Sequence, residues 1–286
     1  MPDARGSCLC GGIGWRVRDP IAFTSHCHCA RCRKAHGAPF GTYLICTADA
    51  FTLDRGRDLV VRYESSPGFF RPFCRRCGGT VPDGEPWKGM LGVPMGPFDD
   101  DPGVRPLSHI FVSSKAPWFE IEDDLPRFDG YPPGFGDAPI AELPSHRKTP
   151  GVTTGSCLCG EVAFTAESEP FRWHNCHCSR CRKGRAAPYA SNVFWHVDKV
   201  RFTRGEERLV AYKVPEARFF VQAFCDRCGS PMPNLDRERS VAIVPVGSLD
   251  DDPGIRPVCH IFAASKTPWF DIPGTLPQYD ERPPSS

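Results

Sequence analysis

The chain has 286 residues, 40% of them hydrophobic, which is enough for one large domain or two of ordinary size with real cores. Its 35 basic and 34 acidic residues nearly cancel, which argues against a dedicated nucleic-acid binder. No apolar run reaches the roughly 18 residues of a membrane-spanning helix, and the N-terminal residues show no secretory signal. We therefore expect a cytoplasmic protein with neither a membrane nor a nucleic-acid partner.

Short apolar or β-branched runs bounded by turn residues predict strands along the first half of the chain. These runs are 13–17, 42–46, 59–63, 69–73 and 110–112. No segment keeps a helical apolar period over three turns, so the only helical structure we expect is a short turn after Cys29. The predicted fold class is mainly β.

The second half of the chain repeats the first. Residues 6–11 and 27–34 recur 149 positions later, and residues 73–78 recur 151 positions later. Further matches pair 99–103 with 250–254 and 117–119 with 268–270. The predicted organisation is a first domain over 1–129, a Pro- and Gly-rich linker over 130–152, and a second domain over 153–286.

Sixteen cysteines in a reducing compartment favour metal binding over disulfides, which remain the alternative. Each copy carries C-x-C, C-x-C-x-x-C and C-x-x-C groups. Zinc prefers four thiolate or imidazole ligands in a tetrahedron, and two short pairs from distant parts of the chain supply them. The predicted structural sites are Cys8, Cys10, Cys74 and Cys77 in the first copy, and Cys157, Cys159, Cys225 and Cys228 in the second. Gly78 and Gly229 suit the turns beside these thiolates.

Three cysteines of each copy remain, and three protein ligands with a vacant fourth position are typical of catalytic zinc. These triads are Cys27, Cys29 and Cys32, and Cys176, Cys178 and Cys181. The alternative is a second structural site closed by a histidine. His28 lies between two ligands and should point away from them in extended backbone, whereas the fold could bring His109 close. We expect two zinc ions per domain, four per chain.

Basic residues flank both triads and are predicted to offset their negative charge and to attract an anionic substrate. They are Arg31, Arg33 and Lys34, with Arg180, Arg182 and Lys183 in the second copy. The alternative is that they are ordinary solvated surface charges. Outside the repeated cysteines, Cys46 and Cys259 are expected to be buried small hydrophobes, and Trp118 and Trp269 to anchor cores.

These motifs resemble the glutathione-dependent formaldehyde-activating family, which also includes centromere protein V. The resemblance is carried by 6–11, 27–34, 37–39, 73–78 and the late Pro-x-x-His-Ile-Phe and Ser-Lys-x-Pro-Trp segments of both halves. It implies two tandem β-tent zinc-binding domains. It also implies a structural zinc on the first C-x-C with the last C-x-x-C, and a more labile, catalytic zinc on the middle triad.

The resemblance further implies a zinc-dependent carbon–sulfur lyase acting on thiol–aldehyde adducts. The type reaction joins formaldehyde to glutathione to give S-(hydroxymethyl)glutathione, so the expected partners are a small thiol and an aldehyde. The triad cysteines would be ligands of the catalytic zinc. The alternative is a non-catalytic zinc-binding interaction module of the centromere protein V kind.

Two features depart from the family pattern. Family members commonly have one such domain, and this chain has two. The second copy also has Ala186 where the first has Gly37. If Gly37 adopts a positive φ angle, Ala186 should resist it and alter the loop after the triad. We therefore expect the first copy to be the more active.

Overall fold

The computed structural model describes residues 3–18, 21–135 and 149–284 of the chain. They form two tandem, mainly β domains, each with one short α-helix. The first domain contains β1 (Ala4–Ser7), β2 (Gly14–Val17), β3 (Ile21–Cys27), α1 (Ala30–His36), β4 (Gly41–Thr47), β5 (Phe51–Arg55), β6 (Val60–Ser66), β7 (Phe69–Cys74), β8 (Met90–Pro94), β9 (His109–Ile110) and β10 (Arg127–Phe128).

The second domain repeats this order with small changes at the sheet edges. It contains β11 (Val152–Ser156), β12 (Ala163–Glu167), β13 (Arg172–Cys176), α2 (Ser179–Arg185), β14 (Ala190–His196), β15 (Val200–Arg204), β16 (Leu209–Lys213), β17 (Val221–Cys225), β18 (Asn234–Asp236), β19 (Val241–Pro245) and β20 (His260–Ile261). Neither helix in the described part of the chain has the length and apolar character needed to cross a membrane.

Each domain has a three-stranded sheet, a five-stranded sheet and a separate hairpin. The orders are β1-β2-β5, β10-β9-β3-β4-β8 and β6-β7 in the first domain, and β11-β12-β15, β18-β19-β14-β13-β20 and β16-β17 in the second. Most pairs are antiparallel, but β9 runs parallel to β3 and pairs Ile110 with Cys27. This pairing brings a late segment of the chain beside the strand that ends in the triad.

Alternation of apolar and polar side chains explains why these short segments form half-buried strands. In β2, Trp15 and Val17 are buried and Arg16 between them is exposed. In β4, Leu44 and Cys46 are completely buried, which confirms that Cys46 packs as a small hydrophobe. Cys259 is also buried.

The predicted strands are confirmed except at three places, and the first is Ile13, which lies in the bend before β2. The run 110–112 forms strand only at Ile110, because Phe111 turns into left-handed backbone with φ 57° and a 3-10 turn follows over Val112–Ser114. Leu59 ends another 3-10 turn instead of starting β6. Most of the predicted linker, 136–148, lies outside the described residues.

The two domains share their cores. Trp118 comes from the first half of the chain but packs in the core of the second domain, with its ring centroid 5.6 Å from that of Trp173. Trp269 lies in the core that holds Trp15 of the first domain. Both tryptophans are therefore core anchors as predicted, but each anchors the core of the opposite domain.

Candidate metal centres

Each domain brings four cysteines together from two distant segments. Their Sγ atoms lie within 4.8 Å of one another. The Cys8–Cys10 and Cys10–Cys74 Sγ distances are 3.5 and 3.8 Å, and the Cys157–Cys159 distance is 3.3 Å. Zinc–sulfur bonds of about 2.3 Å in a tetrahedron require sulfurs about 3.8 Å apart. The two groups thus fit one metal ion each, and they are the two sets predicted from spacing.

Backbone turns hold these sulfurs in place. The Ile13 N–H donates to Cys8 Sγ over 3.2 Å, and the Val162 N–H donates to Cys157 Sγ over 3.3 Å. Gly78 closes the C-x-x-C turn with φ 71°, and its N–H donates to the Cys74 carbonyl over 2.8 Å. Such turns point N–H groups at the sulfurs and partly stabilise their thiolate form. A bound cation would balance the rest of the negative charge.

The turn glycines also permit contact between the domains. A Cβ atom on Gly78 would lie 2.3 Å from Cγ of Phe224, and one on Gly229 would lie 2.4 Å from Cγ of Phe73. The rings of Phe73 and Phe224 meet edge to face, with centroids 6.4 Å apart. Glycine is therefore required here for close approach as well as for the turn.

The triads form where a strand of the five-stranded sheet meets the short helix. Cys27 ends β3, and Cys29 is the N-cap of α1 with φ −60° and ψ 147°. The Cys29 sulfur accepts the Cys32 N–H over 3.3 Å, as a capping side chain does. The three sulfurs of each triad lie within 4.8 Å of one another. In the first triad the C-x-x-C spacing is thus also a helix-capping pattern, whereas Cys178 is the N-cap of α2 without a side-chain capping hydrogen bond.

No histidine completes the triads within the described residues. Each group holds three cysteines and no fourth His, Asp or Glu donor. His28 points away from the sulfurs, as predicted, and its Nε2 lies 2.8 Å from Nδ1 of His109. The other nitrogen of His109 lies 2.8 Å from a carboxylate oxygen of Asp123. The second copy repeats the first contact between His177 and His260. The histidine-closed alternative is therefore not supported.

Sulfur–sulfur hydrogen bonds favour the thiolate form of one cysteine in each triad, whereas the pKa values of the other two cysteines are raised. Hydrogen bonds from Cys27 and Cys32 hold the pKa of Cys29 well below its usual range. In the second triad, hydrogen bonds from Cys176 and Cys181 lower the pKa of Cys178 to about 3. A divalent metal would displace the remaining thiol protons.

Sequence reasoning missed a buried arginine beside the first triad. Arg71, from β7, is 7% exposed and donates from Nη1 to Cys32 Sγ over 3.5 Å. Tyr43 lies in the same pocket, with its hydroxyl 2.6 Å from Nε2 of His36. The other ring nitrogen of His36 lies 2.8 Å from the Arg185 carbonyl of the second domain.

The second triad has a buried arginine at a different position. Arg185, from α2, donates to Oε1 of Gln222 over 2.5 Å and to Oδ1 of Asn192 over 3.2 Å. Burial lowers the pKa of Arg185 to about 10, and the nearby Cys181 charge acts in the opposite direction. Aligning the two repeats could have revealed this exchange, since Arg185 matches His36 and Gln222 matches Arg71.

Aromatic side chains surround each triad. The first triad packs with Ile110 and Phe111, and with the half-buried rings of Phe128 and Tyr131. The second triad packs with the half-buried rings of Phe220, Phe262 and Tyr279. These walls keep water from most of each sulfur cluster and strengthen electrostatic interactions inside it.

Four of the six basic residues predicted to serve the triads instead join the domains. Lys34 is 2% exposed and lies 2.5 Å from the Asp250 carboxylate, and Lys183 lies 2.5 Å from that of Asp99. Arg33 donates to the Leu249 carbonyl over 3.0 Å. Arg182 donates to the carbonyls of Gly96 and Phe98. The charged groups of these four residues are already bonded to the opposite domain, so they are not available to bind a substrate.

The helix ends do not differ as the sequence suggested. Gly37 has φ 58°, as predicted, but Ala186 adopts the same left-handed conformation with φ 48°. Both helices are seven residues long. Burial of Ala186 against the first domain holds it in a conformation that costs an L residue about 1–2 kcal/mol. The loops after the two triads are therefore alike.

Comparison with known proteins agrees with this architecture. The family model described as "glutathione-dependent formaldehyde-activating enzyme" matches residues 3–114 and 152–265. An uncharacterized lyase of Schizosaccharomyces pombe is 33% identical over 81 residues, 28% of this chain and 57% of that protein. The chain thus matches little more than half the length of this relative.

A solved structure of a Rhodobacter sphaeroides protein is 26% identical, with 36% of this chain and 97% of that chain covered at a TM-score of 0.28. The two family-model segments span most of the chain and contain all fourteen cysteines of the four clusters. The chain therefore belongs to the glutathione-dependent formaldehyde-activating enzyme family, as a member with two tandem domains.

Proposed function

We propose that this protein is a zinc-dependent carbon–sulfur lyase that joins a small thiol, of the glutathione type, to formaldehyde or a related aldehyde. The observation that carries the proposal is the triad in each domain. It offers three sulfur ligands and, within the described residues, no fourth. Family membership and a relative named as a lyase support the same reaction class.

The donor sets suit zinc in two different roles. The four-cysteine groups would hold a closed, structural ion, and the triads would hold an ion with one open position. Four zinc ions per chain follow from this assignment. A triad zinc, when bound, lowers the pKa of a thiol that reaches its open position and keeps that thiol as a thiolate.

The reaction forms one bond and needs no oxidant. The thiolate sulfur attacks the aldehyde carbon and a C–S bond forms. The carbonyl π electrons move to oxygen, which takes up the proton released when the thiol ionised. The half-buried aromatic residues Phe128 and Tyr131 would limit water around the reacting sulfur in the first domain.

The decisive experiment measures product formation above the spontaneous reaction. The full chain is incubated with formaldehyde and glutathione, and S-(hydroxymethyl)glutathione exchange is followed by NMR with and without protein. We expect saturable, zinc-dependent acceleration. A folded, fully metallated protein that leaves the spontaneous rate unchanged would instead favour the non-catalytic interaction module.

Separate triad variants test how the two domains contribute. The sequence-based reason for a more active first copy is absent, because Ala186 and Gly37 share one backbone conformation. We therefore expect Cys29→Ser and Cys178→Ser each to remove a substantial part of the rate and the double variant to remove all of it. If one single variant has full activity, the corresponding domain is not catalytic.

A further inference from the structure

Both triads have a buried guanidinium next to them, but the two domains supply it from different positions. In the first domain Arg71 is on β7 and His36 ends α1. In the second domain the arginine, Arg185, ends α2, and Gln222 occupies the β17 position equivalent to Arg71. The cation has thus changed position between the copies without being lost.

Neither arginine is explained by an ordinary salt bridge. Arg71 is 7% and Arg185 8% exposed, and among residues 3–18, 21–135 and 149–284 neither forms an ion pair with a carboxylate. The Nε atom of each is buried without a hydrogen-bond partner. A guanidinium buried in this way is costly unless a negative charge lies nearby.

The triads provide that negative charge. Arg71 reaches Cys32 Sγ directly over 3.5 Å. Arg185 is held by Gln222 and Asn192, and it lies about one helical turn after Cys181 on α2. The half-buried Arg33 and Arg182 and the buried Lys34 also lie on the triad helices, but they contact groups of the opposite domain instead.

We propose that the buried guanidinium beside each triad, Arg71 in the first domain and Arg185 in the second, is a positioning residue that neutralises the metal–thiolate centre and so selects an anionic thiolate as the fourth ligand. This inference rests on the proposed metal binding at the triads. Three thiolates on a divalent ion carry a net charge of −1, which one arginine cancels. With the arginine in place, a fourth thiolate would approach a neutral centre instead of an anionic one.

The inference explains why the two copies differ without losing the cation. The first copy has the arginine on the strand and a histidine at the helix end, and the second copy has a neutral glutamine on the strand and the arginine at the helix end. It also predicts that neutral ligands gain little from the arginine, because they add no charge to the centre.

The test uses the full chain with cobalt in place of zinc, since thiolate binding to cobalt changes its visible and near-ultraviolet spectrum. The variant is Arg71→Gln, and glutathione is titrated into wild type and variant. In Arg71→Gln we expect the first triad's part of the spectral change to reach half its maximum at a glutathione concentration about 10- to 100-fold higher than in wild type. Losses of this size are typical when a group that supports metal ligands is removed. The second triad's share should be unchanged, which provides an internal check that the chain is folded.

Moving the charge gives the matched control. The variant His36→Arg, Tyr43→Asn, Arg71→Gln places the residues of the second domain around the first triad. We expect it to restore glutathione affinity to the wild-type range. Titration with imidazole, a neutral ligand, should distinguish wild type from Arg71→Gln far less than glutathione does.

Two results would overturn the proposal: unchanged glutathione affinity in Arg71→Gln, or a relocated-charge variant as weak as Arg71→Gln. Retention of the triad metal against a chelator gives a second measurement, which should fall in Arg71→Gln and recover in the relocated variant. Both measurements are independent of formaldehyde chemistry. A chain that binds thiols in this arginine-dependent way but makes no adduct would contradict the proposed reaction alone.

Discussion

The residue that follows each triad helix, Gly37 or Ala186, lies against the opposite domain. Gly37 has left-handed backbone, and a Cβ atom added there would lie 2.7 Å from Cβ of Pro231. Gly68, in the β6–β7 turn, has φ 73° but no atom within 4 Å of such a Cβ. Both glycines have left-handed backbone, but only Gly37 lies against the opposite domain. Alanine variants at the two positions therefore distinguish the effect of backbone strain from that of interdomain contact.

We expect Gly37→Ala to lower the free energy of unfolding by more than Gly68→Ala does. Backbone strain alone costs about 1–2 kcal/mol in either variant. The contact with Pro231 adds overpacking of about 1–3 kcal/mol to Gly37→Ala only. Urea unfolding of the two variants measures the difference. Equal losses would mean that the interface adapts freely at this position.

A buried histidine should make stability depend on pH. Burial lowers the pKa of His36 to about 4, below the value of about 6.5 expected in the unfolded chain. The stabilisation is therefore fully present above pH 6.5 and is lost as pH falls from there through 4. Between pH 7 and pH 5 this group alone should cost roughly 2 kcal/mol.

The variant His36→Gln isolates this contribution, because it removes the titrating ring and leaves the other buried histidines in place. We expect its unfolding free energy to fall less between pH 7 and pH 5 than that of wild type, with metal content followed in parallel. The same pH slope in both proteins would contradict the assignment.

At the scale of elements, each triad helix binds the opposite domain through a lysine. Lys34 lies 2.5 Å from Asp250 and donates to the carbonyl of Ser156 over 2.7 Å, at 2% side-chain exposure. Lys183 pairs with Asp99 at the same distance, but these side chains are 16% and 41% exposed. The two lysines therefore make the same contact at different degrees of burial.

This asymmetry predicts unequal losses of stability. Lys34→Met leaves a largely buried carboxylate without its partner and should cost about 3 kcal/mol. Lys183→Met should cost about 1 kcal/mol or less, because solvent screens the exposed Asp99. Thermal unfolding at matched metal content compares them, and a larger loss in Lys183→Met would contradict the burial argument.

At the scale of the molecule, shared cores should make the two domains unfold together. Trp118 and Trp269 each fill the core of the opposite domain. Chains covering 1–135 and 149–286 separately would each expose the surface that such a tryptophan covers. We expect neither half to give a sharp unfolding transition alone, whereas a half that unfolds cooperatively would show that its own core is sufficient.

A single substitution tests the same idea in the full chain. Trp118→Ala should destabilise the protein by about 3–5 kcal/mol. It should lower the unfolding temperature in one transition, not two, by calorimetry. Two separated transitions would show that the second domain unfolds independently of the first.

The sequence alone determined the duplication, the strand-rich fold and the grouping of fourteen cysteines into two sets of four and two triads. Metal-ligand spacing is local, and C-x-C, C-x-x-C and the glycine after them impose turns whatever the surroundings. The repeat then doubles the evidence for each motif. Strand positions followed as well, because alternation of buried and exposed residues is also a local property.

Only the tertiary structure decided which domain each repeated side chain serves. Lys34 and Trp118 recur in both copies, but nothing in their own neighbourhood of the chain indicates that they pack across the interface. Arg71 escaped notice because its partner, Cys32, lies 39 positions away and the second copy places the charge elsewhere. Burial and long-range electrostatics depend on the folded arrangement of distant segments, and sequence spacing does not encode that arrangement.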